Sequence, residues 1–152
     1  MHQLKKIQDI PISINKAWEF FSEPENLAKI NPSNMNFNIL LRSDAGEMYP
    51  GMIITYKVSP LFNLKVNWVT EISQIKEHKY FIDNQIQGPY KIWHHEHHFK
   101  EIENGTEMRD VLFYEVKFGF IGQILHKLFI KKRIEEIFNY REVKIKELFS
   151  SD

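Results

Sequence analysis

The chain has 152 residues, 43% of them hydrophobic and 26% charged, which is the composition of one globular domain. Twenty basic residues balance twenty acidic ones, so no net charge favours binding to nucleic acid or to an anionic membrane. The absence of cysteine excludes disulfides, Cys-ligated zinc and thiol catalysis. Because no apolar run is long enough for a signal peptide or an integral membrane segment, we expect a cytoplasmic protein.

The first third of the chain predicts one strand and two short helices, over residues 2–10, 16–22 and 24–30. Ser13 or Asn15 is placed to cap the first helix. Pro24 stands just inside the second helix, within a capping-box spacing. Residues 31–34 have the composition of a turn.

Six further strands are predicted over residues 36–42, 52–58, 64–73, 79–86, 90–103 and 106–118. The alternation is clearest in the third of these, whose apolar face carries Leu64, Val66, Trp68, Thr70 and Ile72. Such alternation is typical of a sheet with one buried and one solvated face. Because no helix separates these strands, we expect one antiparallel meander of seven strands.

The last third is helical, but its apolar face changes direction. One side carries Ile121, Leu125, Leu128 and Phe129, and nearly the opposite side carries Ile130, Ile134, Ile137, Phe138, Ile145 and Leu148. A straight helix cannot bury both sides against one sheet. We therefore expect a short helical segment over 121–128, a bend, and a main helix over about 130–149.

Eight short motifs are spread over almost the whole chain: QDIPIS (8–13), WEFFS (18–22), MYPGM (48–52), WVTEI (68–72), DNQ (83–85), GPY (88–90), WHHEHHF (93–99) and IFNYR (137–141). They resemble a bacterial subgroup of the START/Bet v 1-like (SRPBCC) superfamily, which is labelled ligand-binding SRPBCC, cyclase or cell division inhibitor. The resemblance implies an α+β helix-grip fold, with a seven-stranded antiparallel sheet wrapped around a long C-terminal helix. A single domain would then span 1–152. It also implies a ligand cavity between the concave face of the sheet and the last helix.

The most conspicuous segment contains four histidines. If it is a strand, one face carries Trp93, His95, His97 and Phe99. The aromatic ends of this set indicate that His95 and His97 point inward, which leaves His94 and His98 in solvent. Two histidines at i and i+2 are able to hold a metal, with Asp110 approaching from the adjacent strand. Local spacing offers no third ligand, so we predict hydrogen-bonded pocket residues, with no metal and no cofactor.

Asp110 and Arg141 are charged residues on predicted apolar faces. A lone buried carboxylate is costly, and a guanidinium in the middle of an apolar helix face needs an acceptor. We expect Arg141 to form an ion pair with Asp110 or Asp83 that holds the helix to the sheet. The alternative is that Arg141 binds a carboxylate or carbonyl of a ligand. Both faces of the strand containing Asp83 and Gln85 are equally apolar, so their direction stays open.

Nine residues are the candidate ligand-binding set: Tyr56, Trp68, Trp93, His95, His97, Asp110, Tyr114, Phe138 and Arg141. The turns at 49–51 and 59–62 are candidates for the border of the entrance. The favoured function is a carrier or sensor for a small hydrophobic molecule or lipid, which needs only a cavity and a few convergent polar groups.

The alternative function is an enzyme of the polyketide cyclase/dehydratase type, with His95 or His97 as general base. Histidines consumed by mutual hydrogen bonds would weaken this alternative, and an unpaired histidine in an open cavity would strengthen it. A third function, a groove for a partner protein's segment, has no specific support. The sequence has no nucleophile elbow, P-loop or dinucleotide fingerprint, which disfavours phosphate and nucleotide chemistry.

Overall fold

Seven strands form one antiparallel sheet in the computed structural model, which describes residues 1–43, 46–60 and 64–150. The strands are β1 (His2–Ile10), β2 (Asn38–Arg42), β3 (Met52–Val58), β4 (Val66–Lys76), β5 (Tyr80–Gln87), β6 (Tyr90–Ile102) and β7 (Gly105–Val116). Their order is β1-β7-β6-β5-β4-β3-β2, so β2 to β7 form the predicted meander and β1 pairs with β7. The prediction of a single antiparallel sheet is confirmed.

Two short helices lie between β1 and β2, as predicted: α1 (Ile14–Phe21) and α2 (Leu27–Ile30). The side chain of Ser13 caps α1, since its Oγ accepts a hydrogen bond from the backbone N–H of Lys16 at 3.3 Å. A 3₁₀ turn over Pro24–Asn26 precedes α2, and a second one over Ser33–Met35 follows it.

The C-terminal helical region has the expected change of direction. A π-helical turn (His126–Ile130) joins α3 (Gly119–Leu125) to α4 (Lys131–Phe149). The extra residue of a π turn rotates the helix face that follows it. In consequence α4 buries Ile134, Ile137, Phe138 and Ile145, whereas the apolar side of α3 stays exposed.

Two details of the predicted strands differ from the structure. Leu64 lies outside β4 and is 65% exposed, because the β3–β4 ladder ends at the pair Val58–Val66. β2 begins at Asn38 instead of residue 36, because Asn36 adopts a left-handed backbone (φ 46°) that ends the preceding 3₁₀ turn. Of the predicted turn at 59–62, residues 61 and 62 lie outside the described residues.

The core lies between the inner face of the sheet and the helices, in three groups of buried residues. One group packs α1 and the end of α4 against β1, β6 and β7; a second lies on β3 and β4; the third joins α4 to β7. Between them the described residues enclose a cavity. Among these residues, no helix is long and apolar enough to cross a membrane.

Candidate functional site

A cavity of about 140 Å³ lies between the inner face of the sheet and α4. Apolar side chains form most of its wall, including Phe21, Met35, Ile54, Trp68, Ile72, Phe81, Trp93, Met108, Ile137 and Phe138. Polar side chains interrupt it at Asn31, Tyr56, Asp83, His95, His97, Asp110 and Arg141. A cavity of ~150 Å³ accepts a molecule the size of benzene, so this enclosure suits a compact apolar group.

Strand register brings two histidines and two carboxylates together on the cavity wall. Asp83 on β5 is directly opposite His95 on β6, and His97 on β6 is directly opposite Asp110 on β7. Residues two apart on a strand share a face, so all four side chains point inward from three adjacent strands. We call these four residues the Asp–His cluster.

Every ring nitrogen in the Asp–His cluster lies within 4 Å of a carboxylate oxygen, although His97 Nδ1 makes no hydrogen bond to the described residues. His95 Nε2 is 2.9 Å from Asp110 Oδ1, and His97 Nε2 is 2.9 Å from Asp83 Oδ2. The second nitrogen of His97, Nδ1, lies 3.0 Å from Asp110 Oδ1. The second nitrogen of His95, Nδ1, is more distant from Asp83 Oδ2, at 3.6 Å. His97 therefore contacts both carboxylates closely, and His95 contacts one.

This difference gives the two histidines opposite pKa shifts. Burial opposes protonation of His97, but its contacts with Asp110 and Asp83 outweigh burial and raise its pKa to about 9. Burial and the charge of His97 lower the pKa of His95, in spite of its hydrogen bond to Asp110. Burial alone would raise the pKa of Asp83 and of Asp110, yet the histidine contacts lower both. At neutral pH the cluster thus has one imidazolium between two carboxylates.

Arg141 supplies a second positive charge at the cavity. Its Nε donates a hydrogen bond to Asn31 Oδ1 at 2.8 Å, and its Cζ lies 5.3 Å from the ring centroid of Phe138. The predicted ion pair with Asp110 or Asp83 is wrong: one oxygen of each carboxylate contacts the histidines, and Arg141 bonds Asn31 instead. Burial lowers the pKa of Arg141, and the fields of Asp110 and Asp83 oppose this shift. The terminal guanidinium nitrogens make no hydrogen bond to any residue that the structure describes.

The sequence profile of a protein family matches residues 10–136 of the chain, and the family is described as "Polyketide cyclase / dehydrase and lipid transport". The chain belongs to this family. The chain is therefore a member of the START/Bet v 1-like (SRPBCC) superfamily and has its helix-grip fold, as the motifs had indicated. No curated protein sequence matches the chain.

Solved structures with the same fold come from several bacteria. Protein CV1439 from Chromobacterium violaceum has a TM-score of 0.74 and 10% identity, over 99% of this chain and 98% of that one. A START superfamily protein from Mycobacterium smegmatis has a TM-score of 0.71 and 17% identity, over 97% and 99%. A protein from Thermus thermophilus, TTHA0849, has a TM-score of 0.71 and 14% identity, over 99% and 98%. At these identities the likeness shows the fold alone.

In this family member, the structure places eight of the nine candidate residues in the cavity wall. Their role in ligand binding stays a prediction. Tyr114 is the exception: it lies in the core beside the cavity, and its hydroxyl lies 2.8 Å from His126 Nε2. Burial raises its pKa to about 12, which keeps the phenol neutral. The rings of Trp68 and Trp93 pack edge to face, with 5.0 Å between their centroids, and form one end of the cavity wall.

Asp83 and Gln85, whose direction the sequence left open, have different roles. Asp83 belongs to the Asp–His cluster. Gln85 spans the hairpin between β5 and β6, since its Nε2 donates to the Tyr90 carbonyl at 2.8 Å and its Oε1 accepts from the Tyr90 N–H at 3.2 Å.

Asn31 is the functional residue that the sequence did not reveal. It follows α2, is buried, and orients Arg141 through its side-chain oxygen. The sequence signal at this position, an Asn-Pro pair, indicates only a turn.

Three members of the cluster have the spacing to hold a metal ion. Asp83, His95 and His97 each offer one donor atom, and these atoms lie within 4.8 Å of one another. Imidazole and carboxylate ligands suit a divalent transition metal such as zinc. A metal here would displace the proton that His97 shares with Asp83.

Proposed function

We propose that the cavity binds a small, largely hydrophobic molecule, so that the protein acts as a carrier or sensor, and that Arg141 binds the polar end of this ligand. The observation that carries the proposal is the combination of an enclosed apolar wall with a guanidinium whose terminal nitrogens have no acceptor among the described residues. Arg141 is half-buried, so a ligand oxygen that reaches its terminal nitrogens would accept a charge-assisted hydrogen bond from them.

The balance of charge supports a carbonyl over a carboxylate as the ligand's polar group. Arg141 and His97 carry two positive charges, and Asp83 and Asp110 carry two negative charges. A carbonyl leaves this balance unchanged. A carboxylate adds a negative charge to a buried site, and His95 would have to take up a proton to compensate for it.

Two probes of the appropriate size test the role of Arg141: phenylacetamide, which has a carbonyl, and phenylacetate. Isothermal titration calorimetry measures their affinities for the wild type and for Arg141→Met. Loss of a hydrogen bond from a charged donor should lower the affinity for phenylacetamide about tenfold or more. Arg133→Met is the matched control, because Arg133 is on the same helix but does not itself line the cavity, and its guanidinium already bonds the Pro60 carbonyl and Asn34.

Equal affinities for wild type and Arg141→Met would contradict the role of Arg141, and failure of both probes to bind would count against the cavity as their site. The natural ligand needs a different measurement. Native mass spectrometry of the purified protein, followed by extraction, should detect a bound molecule of low polarity. Stoichiometric zinc or iron in the same spectrum would instead favour the metal site.

The second candidate, a cyclase/dehydratase-like enzyme, agrees with the other half of the family's description. The geometry weighs against it. His97 is protonated at neutral pH and so is not available as a base, and His95 has a carboxylate facing each ring nitrogen. This arrangement favours binding over proton transfer.

A further inference from the structure

The most exposed large apolar side chains of the described residues are neighbours on α3 and the turns beside it. Phe120 is 80% exposed and Phe118 is 77% exposed. With four more exposed side chains they form what we call the apolar patch: Phe118, Phe120, Ile121, Ile124, Leu125 and Leu128. From Phe120 onward the spacing is that of a single helix face. Contiguous exposed apolar surface of this kind marks an interaction site.

The opposite side of α3 is fixed to the sheet, so the helix cannot roll to bury the patch. A Cβ on Gly122 would lie only 1.8 Å from the Lys117 carbonyl oxygen, so only glycine permits this close approach to the end of β7. The ring of His126 is buried, lies within hydrogen-bonding distance of Tyr114, and stacks on His2 with 3.6 Å between ring centroids.

The sequence around the patch is basic, although Glu136 lies 3.9 Å from Lys132 Nζ and 3.8 Å from Arg133 Nη1. Between Glu115 and Glu135 the sequence has no acidic residue, and it has five basic ones: Lys117, Lys127, Lys131, Lys132 and Arg133. The chain as a whole has no net charge, so this local excess is a concentration of positive charge beside apolar surface. Lys127, Lys131 and Lys132 are exposed.

We propose that the apolar patch and its lysines dock the protein on a membrane surface that contains anionic lipids. An apolar helix face flanked by lysines lies in the lipid interface with its apolar side inserted, and the lysines are attracted to anionic headgroups. The same charge argues against a second copy of the chain as the occupant, because two copies would bring like-charged lysines together. The interaction surface goes beyond the proposed binding function and does not depend on it.

The chain leads from the patch into the cavity wall. Ile130 and Ile134 follow the patch along the chain and pack in one cluster with Tyr90 and Trp93. Tyr90, Trp93 and Ile134 line the cavity.

Vesicle flotation tests the proposal, with vesicles of phosphatidylcholine alone and of phosphatidylcholine mixed with phosphatidylserine. We expect the wild type to bind the mixed vesicles and to bind the neutral ones much less. Phe120→Ser/Leu128→Ser should lower the partition coefficient about tenfold or more for each side chain removed. Lys131→Gln/Lys132→Gln should lower it about fivefold per lysine, on anionic vesicles only.

Leu41→Ser is the matched control for the apolar substitutions. Leu41 is 63% exposed and Leu128 is 60% exposed, and Leu41 lies on β2 at the opposite edge of the sheet from β1. Thermal unfolding of each variant checks that the fold is kept, which the exposure of these side chains leads us to expect. Sedimentation velocity reports any association of the chain with itself.

Binding to anionic vesicles that the patch and lysine variants lose and Leu41→Ser keeps would support the proposal. It would be overturned if the wild type did not float with anionic vesicles, or if the variants floated equally well. A dimer in solution that Phe120→Ser/Leu128→Ser abolishes would overturn it too, because the patch would then be an interface between copies.

Discussion

Strand β6 carries a pair of histidines on each face, and the comparison of the two faces shows what burial does to the same residue types. On the outer face, His94 lies 2.7 Å from Asn84 Oδ1 and His98 lies 2.7 Å from Glu96 Oε2. These contacts are as short as those of the Asp–His cluster, but the outer side chains are partly exposed and the inner histidines are buried. Water screens the outer pairs, so their interactions contribute little to stability. Inside, two carboxylates face one buried imidazolium, so removal of a carboxylate takes away a charge that stabilises the buried cation.

The largest expected effect is on stability. Asp110→Asn removes a buried charge that His97 requires, and it should lower the free energy of unfolding by about 3 kcal/mol at neutral pH. Glu96→Gln makes the equivalent change on the outer face and should cost less than about 1 kcal/mol. Urea unfolding followed by circular dichroism measures both. If both variants lost the same free energy of unfolding, burial would not distinguish the inner pairs from the outer ones.

The pH dependence of stability should separate the two faces as well. The folded-state pKa of His97, about 9, is above its ordinary value of 6.5, so its contribution is complete below pH 6.5 and disappears as the pH rises through 9. The loss amounts to about 3 kcal/mol at most. His97 faces Asp83, Asp110 and the neighbouring His95, and Arg141 lies on the facing helix.

The matched variants for this measurement are His97→Gln and, on the outer face, His98→Gln. Urea unfolding between pH 6 and 10 should show that the wild type and His98→Gln lose stability through this range, whereas His97→Gln changes much less. A fall of the same size in His97→Gln would assign the pH dependence to another group.

The smallest expected effect is that of salt on the loss of unfolding free energy in these variants. The Debye length is about 3 Å at 1 M salt, so high salt should remove most of the small cost of Glu96→Gln. The cost of Asp110→Asn should persist, because buried charges are screened much less. Unfolding free energies of both variants at low and high salt, each relative to the wild type under the same conditions, measure the two responses. A salt-sensitive Asp110→Asn would mean that water enters the cluster.

Alternation along β6 predicted the direction of all four histidines because Trp93 and Phe99 identify the inner face. The same reasoning could not decide the direction of the Asp83 side chain, because β5 is apolar on both faces and its pairing with β4 has register shifts. The ion pair predicted for Arg141 was wrong because the sequence does not show which basic side chains lie next to Asp83 and Asp110 in the fold. The true partner, Asn31, is 110 residues away along the chain.

Inward direction also does not distinguish a cavity wall from filled core. Tyr114 points inward, as its phase predicts, but His126, the first residue of the π turn, contacts its hydroxyl, and Tyr114 does not line the cavity. The position of that turn depends on packing between α3, α4 and the sheet. The sequence predicted the bend and not its geometry.

The most direct test of the central claim, that the cavity binds a small hydrophobic molecule, is a methyl NMR titration with phenylacetamide. Isoleucine δ1-methyl labels lie in the cavity wall at Ile54, Ile72 and Ile137, and in the core outside this wall at Ile10 and Ile12. A ligand in the cavity should cause saturable shifts of the first three signals and little change in the other two. Unchanged cavity-wall signals, or shifts confined to the exposed isoleucines of α3, would contradict the claim.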